Sequence, residues 1–279
     1  MRGRFQAVAV ATICAALPLF FWISAAIVVL VTLRKGVTEG LTLMLWASLP
    51  AAVWAAVRSD PTPVIVIAGC ASLAVVLRAT ESWVSTLLAG VVLGLVVSWL
   101  VPLLFPEVLA EIIQAGQQLL DKMAVEVAGQ SGEQLGIWLE AIFTGVLGSM
   151  HLMVMLGCLV IGRWWQATLY NPGGFREEFH AIILPRGVAL AMMLFILFGS
   201  ALTPVFLGWV PTLTVPFVIA GLALVHGIIG IRKLSGQWLV GFYMMFLFMG
   251  PYLYLFLMVM AFLDSILNFR QRMSGQVSE

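Results

Sequence analysis

Residues 82–105 read SWVSTLLAGVVLGLVVSWLVPLLF, a stretch without a charged side chain. A helix rises about 1.5 Å per residue, so about 20 apolar residues cross a hydrocarbon core that is about 30 Å thick. A bilayer offers no water to unpaired backbone amides, which leaves helices or the strands of a closed barrel as spanning structures. The apolar run is continuous rather than alternating, and this excludes the barrel. The stretch therefore predicts a transmembrane helix.

The rest of the chain has the same character. Of its 279 residues, 62% are hydrophobic and 10% are charged, whereas a soluble domain carries about 25% charged residues. These values predict an all-α, polytopic integral membrane helix bundle that forms a single membrane domain over residues 1–279. Similar windows predict about eight spans, at 7–33, 37–57, 62–79, 82–105, 135–162, 188–208, 211–231 and 237–263. The third window opens with two prolines and is either a span or a re-entrant segment, and Gly250-Pro251 predicts a kink in the last.

Charge, cysteines and motifs narrow the function classes. The net charge of +1 provides no strong field for a nucleic-acid partner. Cys14, Cys70 and Cys158 lie in apolar windows of different spans, which predicts buried hydrophobic side chains rather than a metal site. The sequence contains no HExxH, GxSxG, P-loop or GxGxxG motif. We therefore expect neither an enzyme nor a resident cofactor or metal.

A segment at 106–134, PEVLAEIIQAGQQLLDKMAVEVAGQSGEQ, does not fit a span. Ile112, Leu119, Met123 and Val127 recur at helical spacing, with acidic and amide side chains towards the other side. This pattern predicts an amphipathic acidic insertion that lies along the interface and contacts membrane lipid. The alternative is a lid over a substrate entrance.

A polar loop at 163–187 separates two apolar windows and contains YNPGGFREEFHAIILPRG at 170–187. Its Asn-Pro-Gly-Gly sequence is typical of a tight turn, and the spacing of Phe175 and Phe179 predicts a short interfacial helix at 174–184. If the loop docks a partner or gates the bundle, the candidate residues are Asn171, Gly173, Gly174, Arg176, Glu177, Glu178, His180 and Arg186. The alternative is a loop that only returns the chain from one span to the next.

Ionisable groups within spans are costly and are therefore functional candidates. Glu140 and His151 share a face of the fifth predicted span with Thr144 between them. Because about 16 Å of helix axis separates the first two, they can line a cavity but cannot form an acid–base pair. The substrate or cavity candidates are these three residues and His226; the alternative is that each bonds to a neighbouring helix or lies near the interface. Asp264, Asn268 and Gln271 are expected only to end the last helix.

Small residues recur at four-residue spacing in Ala7-Ala11-Ala15, Ala47-Ala51-Ala55 and Gly90-Gly94. Such stripes let helix backbones approach closely, within the bundle or against a partner. We expect Ala7, Ala11 and Ala15 to form a helix-packing stripe.

Basic residues give a weak orientation signal. With eight crossings, the loops on the side of the 163–187 loop carry slightly more Lys and Arg than the side that holds both termini, including Arg4, Arg58 and Arg270. By the positive-inside rule this favours a cytoplasmic 163–187 loop with termini outside. One re-entrant segment before residue 106 would instead place the N-terminus in the cytoplasm.

Two regions carry a resemblance to a known family. The segment LYNPGGFREEFHAIILPRG and the last window, GQWLVGFYMMFLFMGPYLYLFLMVMAFLDSILNFRQR, resemble the YybS-like family of bacterial polytopic membrane proteins. This family is similar to the substrate-binding components of energy-coupling-factor transporters. The resemblance implies a multi-pass protein of the bacterial cytoplasmic membrane, and a stripe at Ala7, Ala11 and Ala15 that docks on a coupling subunit.

Two hypotheses about function follow. In the first, the protein is a substrate-binding or transport-type module that holds a small solute or lipid-like molecule between its helices. In the second, it is a membrane scaffold or accessory subunit that docks a protein partner, in the membrane or the cytoplasm, through residues 171–186. An intramembrane enzyme would need a paired acid and base that the sequence does not provide.

Overall fold

The computed structural model describes residues 3–107, 110–111, 113–115, 118, 132–270 and 272–273. These residues contain no strand, so the predicted all-α class is confirmed. The helices with defined bounds are Arg4–Ala16 (α1), Phe21–Lys35 (α2), Val37–Arg58 (α3), Thr62–Thr80 (α4), Trp83–Leu104 (α5), Gly132–Tyr170 (α6), Gly174–His180 (α7), Arg186–Phe198 (α8), Val210–Ile231 (α9), Gln237–Phe248 (α10) and Gly250–Leu267 (α11). Short 3₁₀ helices at Gly199–Ala201 and Pro204–Trp209 connect α8 to α9.

Within the described residues, six helical segments are long and apolar enough to cross a membrane. They are Val37–Arg58, Thr62–Thr80, Trp83–Leu104, Trp138–Tyr170, Val205–Ile231 and Gly250–Leu267. The apolar helical segments Arg4–Ala16, Arg186–Ala201 and Gln237–Phe248 are shorter. The chain is thus a multi-pass membrane protein, but the predicted count of about eight spans is not confirmed.

The first predicted span, 7–33, is two helices. Pro18 lies between α1 and α2, where it can neither donate an amide hydrogen bond nor fit against the preceding turn. The Phe20 N–H instead bonds to the Leu17 carbonyl at 3.0 Å, which closes a turn. α1 runs beside α3 in the same direction, because Arg4 bonds to Thr42 and Trp54 bonds to the Ala16 carbonyl. The chain therefore reverses between α1 and α2.

The last predicted span, 237–263, is also two helices rather than one kinked helix. α10 ends before Met249, and α11 begins at Gly250 with Pro251 in its first turn, the helix position that best tolerates proline. The predicted span at 188–208 shortens to α8 followed by the two 3₁₀ helices. The window at 62–79, by contrast, forms one continuous helix despite its prolines, since Pro63 occupies the first turn of α4.

Two helices, α2 and α9, each pack against several neighbours. α2 packs against α1, α3, α4 and α6, and α9 packs against α5, α6, α8 and α11. Ala7, Ala11 and Ala15 are buried in the bundle, where α1 packs on α2 and α3. Backbones approach closely between α5 and α6, where a Cβ added at Gly148 would lie 2.5 Å from the Gly94 carbonyl oxygen, and still more closely between α6 and the second 3₁₀ helix, at Gly145 and Gly208. Small residues thus permit these helix contacts.

Most basic residues lie at one end of the bundle, which we call the basic end. Arg4 forms an ion pair with Glu39 at the start of α3 (3.1 Å), and Arg78 at the end of α4 donates to the Leu33 carbonyl at the end of α2. Further basic residues at this end include Arg34, Lys35, Arg163, Arg176, Arg186, Arg232, Lys233 and Arg270. The expected separation of Arg4 and Arg270 from the 163–187 loop is therefore wrong. The chain reverses after α1 and before α11, and this brings both residues to the end of the bundle where the loop lies.

The amphipathic insertion predicted at 106–134 falls mainly outside the described residues. Gln271, the third residue of the expected polar helix end, is outside them as well.

Candidate functional site

The loop after α6 begins with the predicted tight turn. The Gly174 N–H bonds to the Asn171 carbonyl at 3.1 Å, and Pro172 and Gly173 occupy the two central positions. Gly173 has φ +94° and ψ −25°, close to the values that the third residue of a type II turn requires. Glycine is needed there because a side chain is strained at this φ. The following helix, α7, ends at His180, earlier than the predicted limit of 184.

A charged contact holds α7 against the end of α6. Glu178 accepts hydrogen bonds from Arg163 through both carboxylate oxygens, with the Nε–Oε2 distance at 3.0 Å. The indole of Trp83, at the start of α5, also donates to Oε2 at 3.5 Å. Paired arginine–carboxylate bonds of this kind fix orientation as well as distance. Glu178 thus connects α7 to two membrane helices.

A second contact holds the end of α7. Arg270 donates to Asp264 at 2.9 Å and to the Ile182 carbonyl at 2.6 Å, and it also donates to the His180 carbonyl. Arg270 and Asp264 are both buried. Asp264 was expected only to end the last helix, but its carboxylate also forms this ion pair. The pair joins α11 to the polar loop.

Phenylalanine side chains of α7 turn towards the bundle. Phe175 lies edge to face with Trp83, with ring centroids 6.1 Å apart, and 5.6 Å from Phe179. Phe179 in turn contacts the His226 imidazole edge to face at 5.6 Å. These geometries are the ones that aromatic pairs prefer. The loop helix is therefore packed onto α5 and α9 rather than extended away from them.

Beneath α7 lies a cavity of about 350 Å³, which we call the loop-helix cavity. Its aromatic lining comprises Trp164, Phe175, Phe179 and Tyr243, and its polar lining includes Arg176, His180 and His226. Gly173 of the tight turn also lines it. The His226 Nε2 lies 2.8 Å from the Tyr243 hydroxyl. Binding cavities in proteins have about this size and combine apolar walls with a few polar groups. One predicted cavity residue, His226, thus meets three predicted loop residues here.

Two ionisable side chains at this cavity, Arg176 and His180, differ in charge at neutral pH. Burial, with further contributions from Arg176, His226 and Arg270, lowers the pKa of His180 below its ordinary value of 6.5. His180 is consequently neutral at pH 7 and can donate or accept a hydrogen bond. Arg176 has no ion-pair partner among the described residues. The group that provides permanent positive charge at the cavity is therefore Arg176.

The remaining predicted cavity residues do not join this site. Glu140 and Thr144 line a separate cavity of about 510 Å³ at the opposite end, between α5, α6 and the 3₁₀ helix before α9. His151 is buried outside it; its Nδ1 lies 2.8 Å from the Leu147 carbonyl, and its Nε2 has no hydrogen-bond partner among the described residues. The predicted polar stripe of Glu140, Thr144 and His151 therefore does not line one cavity.

The other loop candidates have separate positions. Asn171, Glu177 and Arg186 are exposed and do not line the loop-helix cavity, while Gly174 begins α7. Sequence reasoning missed Trp83, Arg163, Tyr243 and Arg270 as site residues. A tryptophan or arginine at a span end is expected at any membrane interface, so the residue types of Trp83, Arg163 and Arg270 do not mark them. Tyr243 lies within an apolar helix, and only its contact with His226 marks it.

No family model, curated protein or solved structure matches the chain. Within the residues that the structure describes, no group of three or more His, Cys, Asp or Glu side chains could hold a metal ion.

Proposed function

We propose that the protein is a substrate-binding or transport-type membrane module that takes up a small anionic solute with a planar or aromatic portion in the loop-helix cavity. The observation that carries this proposal is the joint lining of that cavity by aromatic rings and by Arg176, His180, His226 and Tyr243. A guanidinium binds carboxylate or phosphate oxygens through paired hydrogen bonds. Aromatic walls favour a flat ligand by stacking.

The orientation that we propose follows from the charge distribution. The basic end carries Arg4, Arg34, Lys35, Arg232 and Lys233 among others, whereas Arg58 is the basic residue at the opposite end within the described chain. Loops rich in Lys and Arg stay in the cytoplasm. The loop-helix cavity then opens on the cytoplasmic side of a bacterial cytoplasmic membrane, with α7 as its cover.

The family relationship stays a proposal that the quoted segments support. Its implied docking stripe at Ala7, Ala11 and Ala15 is not part of our proposal, because these residues pack inside the bundle.

A second candidate function, the docking of a protein partner through residues 171–186, is favoured by the outward face of the loop. Asn171, Glu177 and Arg186 are exposed there. Their side chains form no ion pair within the described chain.

The solute proposal can be tested with 2-naphthoate and the uncharged 2-naphthylmethanol as probes. Saturation-transfer NMR on the purified full-length protein should detect saturable binding of the naphthoate, above the level of protein-free micelles. We expect Arg176→Gln to weaken this binding about tenfold, since a charged hydrogen bond contributes about 1.5–3 kcal/mol. Arg186→Gln is the matched control, because Arg186 is in the same loop but does not line the cavity.

Equal binding of the two probes, or equal weakening by both substitutions, would contradict the proposal. Loss of a co-purified protein on Arg186→Gln or Glu177→Gln, with naphthoate not bound by the wild type, would favour the docking function instead.

A further inference from the structure

A second cavity, of about 420 Å³, lies at the basic end between α1, α2, α3 and the end of α6. We call it the α1–α2 cavity. On α1, α2 and α3 its lining changes from charged to apolar in the same direction, from the basic end inwards. On α2 the charged residues Arg34 and Lys35 are followed, going back along the helix, by Val31, Ile27 and Ile23.

The other helices repeat this order. Arg4 on α1 precedes Ala7 and Val8, and Glu39 on α3 precedes Leu43. From Lys35 to Ile23 the cavity extends over roughly 18 Å of helix axis, at about 1.5 Å per residue. The cavity is thus polar at the bundle end and apolar towards the membrane interior.

The polar mouth has uncompensated positive charge. Arg4 is neutralised by its ion pair with Glu39. The Arg34 guanidinium lies 4.2 Å from the centre of the Tyr170 ring, a contact that positions the cation without using its hydrogen-bond donors. Neither Arg34 nor Lys35 has an ion-pair partner among the described residues. Two adjacent cations are therefore available to an anionic group.

We propose that the α1–α2 cavity is a binding site for an anionic amphiphile, with a phosphate or carboxylate head at Arg34 and Lys35 and an aliphatic chain along α2. The ammonium and guanidinium groups match an anionic oxygen cluster. The interior wall of Ile23, Ile27 and Val31 offers only apolar contact, which suits a hydrocarbon chain and excludes a fully polar solute. The site is separate from the loop-helix cavity and does not depend on the function proposed for it.

The test uses the full-length protein reconstituted into vesicles of equimolar phosphatidylglycerol and phosphatidylcholine with identical acyl chains. After extraction and purification, native mass spectrometry counts the lipids that remain bound. The wild type should retain phosphatidylglycerol over phosphatidylcholine. The double variant R34Q/K35Q should lower this preference about thirtyfold, since each Lys or Arg near an anionic lipid surface contributes about 1 kcal/mol.

The matched control is R232Q/K233Q, which removes the same two residue types from the end of α9 at the same end of the bundle, outside the cavity. It should leave the preference unchanged. The variant Leu30→Trp fills the apolar part of the cavity without a change in charge, and it should reduce the retention of both lipids. The unfolding temperature of Leu30→Trp shows whether this variant is folded. If it is not, the comparison of R34Q/K35Q with R232Q/K233Q tests the site by itself.

A parallel arm adds oleate to the reconstituted protein. Displacement of phosphatidylglycerol by oleate identifies a carboxylate amphiphile as a ligand, whereas retention of phosphatidylglycerol alone identifies a phospholipid; either outcome supports the site. Equal retention of the two phospholipids by the wild type with no bound oleate would overturn the proposal. An equal loss of preference in R34Q/K35Q and R232Q/K233Q would overturn it too.

Discussion

At the scale of single residues, Arg270 has the largest expected effect on stability. Its side chain is buried, and it neutralises Asp264 while it donates to two carbonyls of the polar loop. Removal of one member of a buried ion pair leaves the other charge without compensation, which costs about 3–5 kcal/mol. We therefore expect Arg270→Met to lower the free energy of unfolding by about this amount, measured by thermal or denaturant unfolding in detergent.

The exposed neighbour Arg272 provides the control for this experiment, because Arg272→Met removes a charge without a buried partner. The double variant D264L/R270M should recover part of the lost stability, since apolar side chains of similar size can replace a buried pair. Equal unfolding temperatures for Arg270→Met and the wild type would show that the pair does not stabilise the fold.

His180, the last residue of α7, makes the stability of the protein depend on pH. Burial and the positive Arg176 lower its pKa in the folded protein below 6.5, so at mildly acidic pH the unfolded chain binds a proton that the folded chain does not. Stability from this group is fully present above about pH 6.5 and falls as the pH decreases below it. The unfolding temperature of the wild type should accordingly fall more between about pH 7.5 and about pH 5 than that of His180→Gln. Parallel pH profiles would contradict this assignment.

At the scale of helices, the attachment of α7 depends on Glu178 and not on its neighbour. Glu178 accepts bonds from Arg163 and Trp83, whereas Glu177 is exposed and has no ion-pair partner within the described chain. We expect Glu178→Gln to speed amide hydrogen exchange across residues 171–182 about fivefold, which corresponds to about 1 kcal/mol for a partly exposed pair. Glu177→Gln should leave exchange unchanged. The same acceleration in both variants would show that the loop is not held by this contact.

Some local features of these helices and their connections could be predicted from the sequence, and others could not. The turn at Asn171–Gly174 could be predicted because each residue type satisfies a separate backbone requirement. The break at Pro18 could not, since a proline in an apolar window either kinks a helix or ends it, and hydropathy does not distinguish the two. The pairing of Arg270 with Asp264 could not be predicted from helical spacing either. Asn268, with φ +55°, lies between them and ends the helix in the left-handed region.

The candidate site could be predicted only in part, because its members are distant in sequence. The sequence puts Arg176 and His180 in a polar segment and His226 in an apolar span, and no sequence pattern connects the loop to that span. Their contact depends on the packing of α7 against α9, which is a tertiary feature. The same reason explains why Glu140 and His151 share a helix face but not a cavity.

At the scale of the whole molecule, the two chain reversals change the topology that the charges imply. With α1 and α2 as separate helices, the first residues of α1 return to the end that carries Arg34, Lys35 and Arg78. With α10 and α11 separate, Arg270 joins the same end. The excess of basic residues at one end of the bundle is therefore larger than an eight-span topology gives. The same reversals place the start of α1 and the end of α11 on one side.

This topology makes a direct labelling prediction. In a variant without Cys14, Cys70 and Cys158, a single cysteine at Lys233 represents the basic end, and one at Asp60 represents the opposite end beside Arg58. Because Lys- and Arg-rich loops stay in the cytoplasm, a membrane-impermeant maleimide added to intact cells should label Asp60→Cys but not Lys233→Cys. Permeabilised cells should show labelling of both, which controls for reactivity and expression. Labelling of Lys233→Cys in intact cells would reverse the orientation and place the opening of the loop-helix cavity outside the cell.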